Sequence, residues 1–190
     1  MIIAENLKKV YGGDIVSVDD LSFHIHKGEI VGFVGQNGAG KTTTIKMLTG
    51  ILMPTEGRVK INGFDMREKP MEAKQSMGYI ADNPDIFLRL TGLEYVNFIA
   101  DIYGVSTTER KQRIEQMAER FGMEDSLNRQ MVSYSHGMSQ KMMVIAALVH
   151  NPPVWILDEP MTGLDPNAAY ELKKMMREHA DAGNCVFFST

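Results

Sequence analysis

Cysteine is nearly missing. Cys185 is the single thiol among 190 residues, which excludes an internal disulfide and suits a reducing compartment. It sits in an apolar, strand-like run, so a buried structural thiol is expected. Long apolar runs are missing too: Val154 to Leu157 and Cys185 to Phe188 fall far short of the roughly 20 residues that a membrane-spanning helix needs. Any membrane role must come through a partner. There is no basic excess either, since the net charge is −4 with acids and bases interspersed. That argues against a broad nucleic-acid-binding face, though not against a local patch, and no nucleic-acid partner is expected. The first five residues, Met1 to Glu5, lack a basic segment before an apolar run, so no secretory signal is expected. What remains is ordinary, with 44% hydrophobic and 23% charged residues, enough for one domain with a respectable core and an inserted subdomain.

The chain is organised around Gly35, Gln36, Asn37, Gly38, Ala39, Gly40, Lys41 and Thr42, which follow the apolar run Ile30 to Val34 and open a helix-like stretch from Thr43. Glycine, four residues, glycine, lysine and Ser/Thr between a strand and a helix is the phosphate-loop pattern. Its glycines let successive N–H groups turn inward around an anion, and the helix adds its own unpaired N–H groups and positive dipole end. A polyphosphate is the expected ligand. Lys41 is placed to reach the β- and γ-phosphates, the Thr42 hydroxyl to sit on a bridging Mg²⁺, and Thr43 to complete the cradle. A dinucleotide fingerprint fits poorly, because its third glycine is missing and a lysine stands where such a site has no use for one.

Taken in order, the first 34 residues predict strands at Ile2 to Glu5, Ile15 to Val18, Leu21 to Ile25 and Glu29 to Val34, with turns at Gly12-Gly13 and Lys27-Gly28. Tyr11, beside the first turn, is a π-face on which a base could stack. Arg58 to Ile61 and the hairpin signal Asn62-Gly63 follow, then a short helix at Met71 to Gln75 and a strand at Gly78 to Ala81. From 84 to 149 the character changes to three helices, marking a helical subdomain between two parts (1–83 and 150–190) of an α/β core. Thr91 with Glu94 and Ser106 with Glu109 are capping boxes. The first helix presents Leu93, Val96, Ala100 and Tyr103, the second Ile114, Met117, Ala118 and Phe121, and the third, beginning near Gly137, Met138, Met142, Ile145, Ala146 and Val149.

The apolar run Val154 to Leu157 ends in Asp158 and Glu159. A strand buried on both faces that ends in carboxylates delivers ligands to the carboxyl edge of a parallel sheet. Asp158 is expected to hold Mg²⁺ and Glu159 to orient and deprotonate an attacking water. Gly163 to Pro166 predicts a turn with Asp165 as N-cap of a helix presenting Ala169, Leu172, Met176 and His179, stopped at Gly183. A last strand follows at Cys185 to Ser189. Ser135, before the third inserted helix, forms a second anion-binding helix terminus with Gly137. One nucleotide hardly needs two such termini, so the economical arrangement is two copies packed head to tail, each covering the phosphate held by the other.

With these stretches together, the sequence resembles the ATP-binding-cassette family, the nucleotide-binding subunits of ABC transporters. Tyr11 falls at the adenine-stacking aromatic, Gly35 to Thr42 at the Walker A loop, Ser135 to Met138 at the signature loop, Val154 to Glu159 at Walker B, and Gly163 to Asp165 at the dimer-contacting D-loop. The signature variant looks most like bacterial drug, lipid or ion exporters whose membrane subunit is a separate polypeptide. The resemblance implies an ATPase fold with an antiparallel β subdomain and an inserted helical subdomain, and MgATP as the nucleotide. It also implies a homo- or heterodimer with two sandwiched ATP, and a permease at the cytoplasmic face of the membrane. Asp82 stands where the family usually has glutamine and is expected to face Mg²⁺ or the attacking water. The stretch from Asp82 to Tyr103, with Ile86, Phe87 and Leu88, is the expected permease contact.

The signature departs from the pattern at His136 and Met138. The family's γ-phosphate histidine would follow Thr190, so the expectation is a chain cut short, binding ATP but hydrolysing it poorly. Competing readings are a cytosolic ATPase acting on ribosomes or DNA and a nucleotide-binding module without turnover. The absence of a long heptad insert and of a second cassette speaks against the former.

Overall fold

The computed structural model describes residues 1–81 and 89–190. Alternating apolar residues carry β1 (Ile2–Tyr11) and β2 (Ile15–Ile25) through a long antiparallel hairpin, registered from Ile2 opposite Ile25 to Tyr11 opposite Ile15. The ladder shifts register three times, between Ala4 and Leu7, Leu7 and Lys9, and Lys9 and Val10. Asn6 and Asp20 both take left-handed backbone, and the Asn6 amide donates to the Asp20 carboxylate at 2.9 Å. That device keeps β2 continuous across Asp19-Asp20, where the sequence predicted two strands.

β3 (Ile30–Phe33) leads into the glycine loop and α1 (Lys41–Leu48). β4 (Glu56–Ile61) turns at Asn62-Gly63, both at positive φ, into β5 (Phe64–Asp65), as the dipeptide predicted. α2 (Pro70–Gln75) and β6 (Met77–Ile80) follow. α3 (Gly92–Ile102) opens with the predicted reciprocal capping box of Thr91 and Glu94, and α4 (Thr107–Phe121) is capped by Ser106. α5 (His136–Leu148) starts after Ser135, β7 (Val154–Leu157) is buried throughout, and α6 (Pro166–Asp181) leads to β8 (Cys185–Ser189).

The strands form an antiparallel sheet in the order β2-β1-β4-β5 and a second sheet in the order β3-β8-β7-β6. β8 is parallel to both β3 and β7, so the last strand in sequence sits inside the sheet. This crossover brings three chain segments to one carboxyl edge: the glycine loop after β3, Asp158 and Glu159 after β7, and Ser189 at the end of β8. Between the sheets, Phe187 stacks on Phe23 with centroids 5.5 Å apart, among Ile2, Leu7, Ile25, Ile45, Ile61 and Ile156. Cys185 is fully buried here, and burial pushes its thiol up to about 11, as befits a structural cysteine.

The chain divides into two compact units, one of residues 1–79, 152–159 and 176–190, the other of 80–151 and 160–175. In the second unit, α4 buries Ile114, Met117, Ala118 and Phe121, the face its period predicted. α5 is buried almost all round, including Met143, Val144 and Leu148. On α6 it is Ala168, not the expected Ala169, that turns inward with Leu172, Met176 and His179.

His179 stacks on Trp155 of β7, with ring centroids 4.1 Å apart, and burial drives its pKa down from 6.5 to about 4. The folded protein therefore binds fewer protons than the unfolded chain between pH 6.5 and about 4. Its share of stability is present above pH 6.5 and is lost as pH falls to 4, on the order of 3 kcal/mol in all. Denaturant melts at both pH values should show His179→Leu losing correspondingly less stability over that interval. Equal losses in variant and wild type would refute the assignment.

Candidate nucleotide site

Gly38 and Gly40 both take left-handed backbone, at φ +83 and +86. At Gly40 a β-carbon would lie 2.5 Å from the Ser17 carbonyl oxygen, so only glycine lets the loop pass this close to β2. The Ser17 hydroxyl also bonds the Thr43 hydroxyl at 3.0 Å, tying the start of α1 to the same strand. Tyr11 stands six positions earlier on this hairpin, 40% exposed, with the Lys9 ammonium 5.4 Å from its ring centroid. Gln36, Asn37, Ala39 and Thr42 are exposed and Gly35 partly so, which leaves the loop open to a ligand.

Lys41 is buried under the loop. Its ammonium donates to the Gly35 carbonyl at 2.5 Å and more weakly to that of Gln36 at 3.4 Å, and it lies 3.7 Å from the Glu159 carboxylate. Phosphate loop and the acids that close β7 thus meet in the first unit, at the carboxyl edge where an apolar strand ending in carboxylates is expected to deliver them. Asp158 is 1% exposed. One of its oxygens accepts from the Ser189 hydroxyl at 2.7 Å, and the other, Oδ2, is buried with no hydrogen-bond partner among the described residues. A buried carboxylate oxygen without a donor is costly unless a cation faces it, and a hard oxygen donor beside a phosphate loop suits Mg²⁺. Glu159 is partly exposed and takes left-handed backbone, φ +47, which costs a non-glycine residue roughly 1–2 kcal/mol. Its N–H donates to the Ser189 hydroxyl at 2.9 Å. Asp82, and with it Ile86 to Leu88, lies outside the described residues.

The second unit holds the other predicted loop. Ser135 caps α5, accepting from the Met138 N–H at 3.3 Å. The following residues meet the turn at Gly163, whose φ is +80. A β-carbon on Gly137 would stand 2.7 Å from the Gly163 carbonyl oxygen, and one on Gly163 would collide with the His136 ring. Lys141, one turn into α5, pairs with Asp165 at 2.7 Å, and Asp165 caps α6 by accepting from the Ala168 N–H at 2.9 Å. The Lys141 bond and this capping N–H hold the Asp165 carboxyl below its usual range. Signature loop and D-loop are therefore one cluster. Neither Lys141 nor Ser189 stands out in the sequence, although Ser189, like Asp158, is a polar residue closing an apolar run.

The family model for ABC transporters matches residues 18–162, and this span contains the phosphate loop, the Ser135 cap and the Walker B acids. The chain belongs to the ABC transporter ATP-binding subunits. This ABC chain is 36% identical over 177 residues to the ABC transporter ATP-binding protein NatA of Bacillus subtilis (strain 168), covering 93% of this chain and 72% of NatA. A solved ATP-binding subunit of an ABC transporter superposes with a TM-score of 0.94 at 33% identity, over all of this chain and 78% of that one. The dimeric ATP-binding cassette MJ0796, in a post-hydrolysis state with ADP and Pi, superposes with a TM-score of 0.87 at 25% identity, over all of this chain and 88% of that one. The ABC chain spans from about a third to nearly three quarters of the length of the curated relatives it matches. Its fold is that of the ABC ATPase cassettes. No helix among its described residues is long and apolar enough to cross a membrane.

Proposed function

We propose that the chain binds and hydrolyses ATP as a head-to-tail dimer and so energises transport through a separate permease at the cytoplasmic face of the membrane. The observation that carries this reading is the approach of Lys41 to Glu159 at 3.7 Å beside the buried Asp158 Oδ2, which has no hydrogen-bond partner among the described residues. A phosphate site, a cation site and a base stand together there. The N–H groups of Gly35 to Thr43 hold the phosphates, Lys41 turns from the loop carbonyls to the β- and γ-oxygens, and Tyr11 offers its face to the adenine. Thr42, Asp158 and Asp82 are the proposed Mg²⁺ ligands; the bound ion would neutralise charge on the transferring phosphoryl group. Glu159 takes the proton of the attacking water. Ser135 and Gly137 donate to the γ-phosphate held by the other copy. The permease contact is placed on Asp82 to Tyr103, supported by Phe98 and Ile102, exposed by 44% and 60% one turn apart on α3.

ATPase turnover of the protein at its natural length, measured against protein concentration, tests the dimer. Turnover should rise more steeply than linearly, then saturate. Linear dependence would sink the head-to-tail arrangement, and no turnover even with the permease supplied would leave a binding module only. Ile102→Glu should leave the free subunit's turnover intact and abolish its co-purification with the permease. Undiminished co-purification would remove α3 from the contact.

A further inference from the structure

We propose that Ser189 is a positioning residue of the ATPase centre, one hydroxyl that sets both Walker B acids at once. The proposal rests on the roles given above to Asp158 and Glu159. Because Leu157 is registered with Phe188 across the parallel pair, Ser189 falls beside the acids that follow β7. It is fully buried, so no bulk water competes for its hydroxyl. The Glu159 N–H, 2.9 Å away, can only donate, so the hydroxyl accepts there and its single proton is committed to Asp158 Oδ1 at 2.7 Å.

Each bond has a consequence in geometry. The first satisfies the N–H of a residue held at φ +47, the turn that brings the Glu159 carboxylate back to within 3.7 Å of Lys41. The second occupies one oxygen of Asp158 and leaves Oδ2, which has no hydrogen-bond partner among the described residues, as the atom available to a cation. Removing the hydroxyl frees the Asp158 carboxylate to rotate and releases the Glu159 backbone together. A supporting hydrogen bond behind a metal ligand is worth a tenfold or greater effect in other centres.

The test compares Ser189→Ala and Ser189→Thr in the full-length protein, with two readouts. One is kcat. The other is equilibrium binding of a fluorescent, non-hydrolysable ATP analogue, titrated with Mg²⁺ and repeated in EDTA. Ser189→Ala should raise the half-saturating Mg²⁺ concentration and lower kcat, each by about tenfold. Its affinity for the analogue in EDTA should stay within roughly twofold of wild type, because the phosphate loop is untouched. Ser189→Thr, which keeps a hydroxyl, should restore the Mg²⁺ curve. A Ser189→Ala titration superimposable on wild type overturns the proposal, and so does a threonine variant that titrates like alanine. Failure of the underlying reading looks different: the wild type itself would bind the analogue without regard to Mg²⁺, or would keep its turnover after Glu159→Gln.

Discussion

Glu159→Gln is expected to lower kcat about 100-fold or more, the usual share of a general base, while ATP binding stays intact. Glutamine has the same shape, so it can occupy the left-handed turn at the end of β7 and keep its N–H on the Ser189 hydroxyl. What is removed is the charge, and with it both proton acceptance and the ion pair with Lys41 at 3.7 Å. The phosphate loop, Lys41 and Asp158 are unchanged, so nucleotide should still be held, and with hydrolysis blocked an ATP-dependent dimer should accumulate. Single-turnover chemistry and size-exclusion chromatography with and without MgATP are the measurements. A variant retaining a tenth or more of wild-type turnover would show that Glu159 is not the base, since loss of a base costs on the order of 100-fold.

The parts of this site that are legible in sequence are those whose chemistry is local. Gly38, Gly40 and Lys41 announce themselves because loop conformation and ligand charge demand those residue types at fixed spacing, and the structure gives both glycines positive φ. Capping at Thr91, Ser106 and Asp165 is legible for the same reason, as is the Asn62-Gly63 turn. Amphipathic α4 shows its buried face because the opposite face is wet, whereas α5 is buried on nearly every side and its period understates its core.

What the sequence hides depends on contacts between distant residues. Ser189 reaches Asp158 only because a strand 31 positions later inserts next to β7. β2 reads as two strands because Asp19 and Asp20 interrupt its alternation, and the compensating bond comes from Asn6, fourteen residues before Asp20. His136, a departure from the family pattern, acquires meaning from Gly163. Its ring occupies the space that a side chain there would fill, so the two substitutable-looking positions constrain each other.

Lys41→Met should weaken ATP binding about 100-fold, from the loss of charge-assisted bonds to phosphate worth roughly 3 kcal/mol. Methionine is nearly as long and apolar, so it fills the buried channel of the lysine stem. The carbonyls of Gly35 and Gln36 lose a donor but lie on a loop open to solvent, where water replaces it. The unliganded melting temperature should therefore stay near wild type, while the rise in melting temperature that ATP confers is nearly abolished. Nucleotide titrations followed by thermal melts separate the two effects. Lys41 also lies 3.7 Å from the Glu159 carboxylate, an opposite charge. On the proposed roles, phosphate would draw the ammonium away and leave that carboxylate available to a water, so nucleotide entry would itself ready the base. If Lys41→Met instead lowered the unliganded melting temperature by as much as it lowered the ATP-induced shift, the lysine would be a structural plug of the loop, and this coupling between binding and base would fall with it.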